Sequence, residues 1–112
     1  WYEALDLSDY FENPGDHADE METSLLLYLC PDLVLSRDKW GEGCEKKNRI
    51  TAFEEKWLWT ERKWAQVSSD TGIGDPGRAA ADKGERFFKD LTVKIGEVMY
   101  EICEADTENL YT

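Results

Sequence analysis

The stretch from about Gly77 to about Ala105 constrains this chain more than any other. Ala80, Phe87, Leu91, Ile95, Val98 and Ile102 recur at helical spacing, and Phe88 and Met99 widen the same apolar stripe. Lys83, Glu85, Arg86, Lys89, Asp90 and Lys94 fill the opposite face. The pattern predicts one long amphipathic helix, which must lay its stripe against another layer of structure. Its start is marked by Asp70-Thr71-Gly72-Ile73-Gly74-Asp75-Pro76: the glycines predict a turn, Asp75 an N-cap, and Pro76 the first helical position.

The remainder is less regular. Asn13-Pro14-Gly15 signals a turn within an irregular stretch over residues 1 to 21. Thr23 and Ser24 are candidate caps, and Glu20 and Glu22 suit the first turn of a helix. Met21 and Leu25 to Leu29 then describe a helix apolar on most sides, which predicts burial, with Pro31 closing it. Residues 36 to 49 are polar and charged and predict an exposed loop. Ile50 to Trp59 fits a short helix or a strand, and Arg62 to Ser68 reads as a strand with Trp64 opposite Ala65 and Val67. Asp106 to Thr112 predicts a tail or a docking strand. Trp57, Trp59 and Trp64 are expected in the core or at a subunit interface.

Composition removes whole classes of function. The net charge of −12 excludes a nucleic-acid partner, because phosphate binding needs a basic surface, and it disfavours anionic membranes. No apolar run reaches the roughly 18 residues of a membrane span. Cys30, Cys44 and Cys103 form no Cys-x-x-Cys pair, so neither a zinc knuckle nor a redox dithiol is suggested. Cys30 and Cys103 lie in apolar helical patterns and are expected in the core. Unpaired cysteines fit a reducing compartment, the cytoplasm.

The chemistry-bearing stretch is Gly15 to Ser24. It contains His17, the single histidine of the chain, beside Asp16 and five residues before Glu22. An imidazole with a carboxylate neighbour at a loop-to-helix junction suits proton transfer. One histidine cannot supply a site that needs two or more imidazole ligands.

Two motifs together carry a resemblance. His17-Ala18-Asp19-Glu20-Met21-Glu22-Thr23-Ser24, followed by an apolar helix ending in Pro31-Asp32-Leu33-Val34, resembles the creatininase (creatinine amidohydrolase) family. So does Thr71-Gly72-Ile73-Gly74-Asp75-Pro76, leading to Ala79-Ala80-Ala81-Asp82-Lys83-Gly84. The resemblance implies an α/β fold, with the chain as part of a three-layer α/β/α sandwich and its helix-rich C-terminal half. Residues 1–112 would be the C-terminal portion of one domain whose N-terminal half, carrying the metal ligands, is not included. It further implies a metal-dependent hydrolase of a non-peptide C–N bond, in a cyclic amide or a formamide. Zinc or manganese would serve the complete enzyme, with none bound by this chain alone. The expected partners are a small-molecule amide, the missing N-terminal half or neighbouring subunits, and further copies in a homo-oligomer, a hexamer in the family.

Residue by residue, His17 matches the family's active-site histidine, Asp16 the acid before it and Glu22 the Glu of Glu-Thr-Ser. His17 would handle the proton, Asp16 would orient its ring, and Glu22 would chiefly tether the loop. Where creatininase has a tryptophan three residues before the acid, this chain has Asn13, so a flat aromatic lid over creatinine is missing. The competing expectation is a non-catalytic remnant or interaction module that keeps the helices without the chemistry.

Overall fold

The expected long helix forms, but it starts later than its local signals predict. The computed structural model describes residues 1–41 and 43–112; residue 42, inside the predicted 36–49 loop, lies outside them. In chain order the α-helices are α1 (Glu20–Leu29), α2 (Thr51–Glu54), α3 (Trp64–Val67) and α4 (Ala81–Glu104). Short 3-10 turns occupy Tyr2–Ala4, Leu7–Asp9, Pro31–Leu33 and Arg37–Lys39. Among the described residues no helix is long and apolar enough to cross a membrane.

Asp75 does not cap α4. Its Oδ1 accepts from Gly77 N at 2.8 Å, closing a local turn, and Ala79 N donates to Pro76 O at 2.8 Å. The Arg37 guanidinium then takes the carbonyls of Gly77 and Ala79. Those oxygens are thereby removed from any helical ladder, and the backbone stays extended through Ala80. The amide of Ala80, at the true N-cap, is satisfied by Ser24 Oγ at 3.1 Å. Ser24 therefore serves the wrong helix for the sequence expectation: the cap of α1 is Asp19, whose side chain accepts from Glu22 N.

α1 packs along the first half of α4. Gly84 makes the approach close, since a Cβ there would sit 2.0 Å from the Ser24 carbonyl oxygen. Phe11, Met21, Phe87 and Leu91 form the buried core, with Leu5, Leu7, Tyr10, Leu25 and Ile95 packed around it. Phe87 receives the rings of both Tyr10 and Phe11 edge-on at 5.2 Å. The N-terminal stretch, irregular in sequence, thus delivers one of the main core residues. Beneath it, buried Glu20 accepts from Asn13 N (2.7 Å), Glu12 N (3.1 Å) and Lys83 Nζ (2.6 Å), tying the loop to both helices. Its hydrogen bond to Lys83 pushes that ammonium's pKa upward.

Several expectations are corrected. Among the described residues there is no β-strand. Residues 64–67 close a helical turn instead, with Gln66 N and Val67 N both donating to Lys63 O; a strand needs a neighbouring strand to take its hydrogen bonds, and none is present among the described residues. The α1 helix is only half covered, with Leu26 and Leu29 exposed. Cys30 and Cys103 are exposed, the first at the C-cap of α1 and the second on the uncovered end of α4. Trp57 and Trp59 are exposed and so lie outside the core, the first of the two places expected for them. Past Ile95 the stripe of α4 faces outward, and Trp1, Ala4, Ile95, Val98 and Met99 line an open apolar groove of about 570 Å³. The radius of gyration is 17.7 Å, against about 13 Å for a compact chain of similar length.

Candidate active site

The turn before α1 is built by carboxylates acting on backbone amides. Asp19 is almost fully buried; its Oδ1 accepts from Glu22 N at 2.8 Å and its Oδ2 from Gly15 N at 2.7 Å. Burial raises the Asp19 carboxyl above its ordinary pKa, and these amide bonds offset only part of that rise. Glu22 Oε2 accepts from Ala18 N at 2.8 Å. Ala18 itself has φ of 59°, the left-handed region, which reverses the chain directly after His17.

The second motif grips this turn from the side. The His17 carbonyl accepts from both Ile73 N (3.1 Å) and Gly74 N (2.9 Å). Gly74 must be glycine for this contact: a Cβ there would lie 2.4 Å from Asp19 Cβ and 2.7 Å from Asp16 O. The Gly72-Ile73-Gly74 stretch, expected as a turn, bends at Gly74 without closing a hydrogen-bonded turn, and the amides of Ile73 and Gly74 serve the His17 main chain.

Above this scaffold the His17 ring stands half exposed, its Nδ1 3.7 Å from Glu22 Oε2. Trp64 from α3 meets it edge-on, with ring centres 5.1 Å apart at 83°. Asp16 is placed differently from the sequence expectation. Its Oδ1 accepts the His17 main-chain N–H at 2.7 Å, and its carboxylate pairs with Arg62 at 2.6 and 3.4 Å. That guanidinium holds the Asp16 carboxyl below the usual carboxylate range. The structure therefore brings His17 and Glu22 together, while Asp16 touches the backbone of His17 and directs its charge to Arg62.

The family model for creatinine amidohydrolase, Creatininase, matches residues 2–99. The chain belongs to the creatininase family. A crystal structure from Bacteroides fragilis, provisionally described as a creatinine amidohydrolase, is similar over the whole of this chain at 35% identity with a TM-score of 0.85. The chain spans 43% of that relative's length. No curated protein matches. The fold is thus creatininase-like and, over the described residues, helical.

Creatininase-family enzymes are generally metal-dependent. The described side chains are not brought together as a metal centre. Among the described residues no group of three or more His, Cys, Asp or Glu side chains is placed to hold an ion. Asp16 is engaged by Arg62, Asp19 and Glu22 by backbone amides.

Sequence reasoning missed Asp19, Arg62 and Trp64. Asp19 carried a signal, an acid three residues before Glu22, which is the spacing of a capping pair. Arg62 and Trp64 had none, because they reach the creatininase motif from more than forty residues away.

Proposed function

We propose that this chain supplies the proton-handling wall of a creatininase-like amidohydrolase active site, acting on a small cyclic amide or a formamide. The observation that carries the proposal is the half-exposed His17 ring held beside Glu22 by two interlocked family motifs. Cleaving an amide adds hydroxide to the carbonyl carbon and a proton to the departing nitrogen. That nitrogen leaves poorly unless protonated, and an imidazole, with an ordinary pKa of about 6.5, delivers protons near neutral pH. Nδ1 is the nitrogen turned to Glu22, so Nε2 is the one that exchanges the proton with substrate. Glu22, tethered to the Ala18 amide, fixes which side of the ring Nδ1 faces. Asp16 acts on His17 through its main-chain N–H.

On this reading residues 1–112 are the C-terminal portion of a longer domain that completes a three-layer α/β/α sandwich. Zinc or manganese is held by residues outside this chain. The complete enzyme is a cytoplasmic homo-oligomer. The uncovered apolar end of α4 and the large radius of gyration support a chain that packs against more protein.

The test is the protein produced from the whole reading frame, supplied with zinc or manganese and assayed on a panel of cyclic amides and N-formyl compounds. His17→Gln should lower kcat by about 100-fold or more, with metal content and helicity unchanged. Wild-type turnover in the variant overturns the role of His17. Absence of turnover by the metal-loaded wild type overturns the hydrolase reading in favour of a non-catalytic module.

A further inference from the structure

Charged groups surround His17 from three elements, and of these Glu22 is the one whose side chain stands against the ring. Glu22 comes from α1, Asp16 from the turn itself, and Arg62 from the segment before α3, with Glu45 a further 3.9 Å from Arg62. Arg62 has two contacts at once. It forks onto the Asp16 carboxylate, and its guanidinium carbon lies 5.0 Å over the Trp64 ring. Trp64 in turn abuts the imidazole. The Arg62–Asp16 pair is solvent-exposed on both sides, and such pairs add little to stability. Its geometry instead bears on which carboxylate the imidazole meets.

We propose that Arg62 is a positioning residue for His17: it draws the Asp16 carboxylate away from the imidazole and seats Trp64 against the ring, leaving Glu22 as the ring's carboxylate partner. The catalytic meaning of this arrangement rests on the proton-transfer reading of His17; the arrangement itself can be tested without turnover. A neighbouring carboxylate free to meet the ring would compete with Glu22 for Nδ1 and change the proton affinity of the imidazole. Arg62 neutralises that competitor and contributes a positive charge of its own near the ring, two effects of the same sign.

In the protein produced from the whole reading frame, the His17 ring resonances are identified by their loss in His17→Gln and then followed by NMR titration. Arg62→Gln removes the cation and leaves Asp16 uncompensated, so the His17 titration midpoint should move upward, by about half a pH unit or more at low salt. Arg62→Lys should restore most of the wild-type midpoint. In an Asp16→Asn background the same Arg62→Gln change should move it by less than half as much. An unmoved midpoint in Arg62→Gln overturns the proposal; an equal shift with and without Asp16 overturns the part assigned to Asp16. Helicity by circular dichroism checks folding. Should Arg62→Gln unfold, Asp16→Asn alone decides: with Arg62 uncompensated the midpoint should fall, and no movement overturns the proposal. A wild-type protein without hydrolase activity sinks only the proposed function, whereas an active enzyme whose His17 ignores Arg62 sinks only this inference.

Discussion

Two glycines on the same helix divide it into unlike halves. At Gly84 an added Cβ would stand 2.0 Å from the Ser24 carbonyl, whereas at Gly96 it would meet nothing within 4 Å. Around the first, Phe87 and Leu91 are buried and Lys83 reaches the buried Glu20. Around the second, Val93, Val98, Met99 and Tyr100 are exposed. The apolar stripe runs through both halves without a break, so amphipathic spacing reports that a helix has a face to cover and not what covers it.

Equilibrium unfolding of point variants can break or sharpen this contrast. Phe87→Ala should cost the most, about 3–5 kcal/mol, since it empties the ring cluster with Tyr10 and Phe11. Gly84→Ala should destabilise by about 1–3 kcal/mol, because α1 must move away from α4. Gly96→Ala should go the other way and stabilise by roughly 0.8–1 kcal/mol, the helix-propensity difference with no steric penalty. If both alanine variants shift the unfolding midpoint in the same direction, the division of α4 into a packed and an open half is wrong.

Much of the scaffold was legible from local pattern. The period of Phe87, Leu91 and Ile95 located the core face of α4, whereas the Asn13-Pro14-Gly15 signal falls just ahead of the hydrogen-bonded turn, which Asp19 N closes onto Asp16 O. Illegible features were set at a distance. The start of α4 depends on Arg37 capturing the Gly77 and Ala79 carbonyls, which overrides the Asp75-Pro76 signal. Phe11 enters the core from an irregular stretch because α1 and α4 leave a slot between them, not because of its own spacing. The strand expected at Arg62 to Ser68 rested on alternation alone, and alternation without a partner strand yields to a closed helical turn. In the candidate site, adjacency suggested that Asp16 would serve the imidazole. Neighbouring side chains on a tight turn diverge, however, and a guanidinium forty-six positions away claims that carboxylate instead.

The grip on the first motif is made through the oxygen of His17, not through its side chain. Architecture and reactivity at that position are therefore separable. Any ordinary L-residue placed there still offers the same acceptor to Ile73 and Gly74, so position 17 can be varied widely as a probe of proton delivery while the turn keeps its shape.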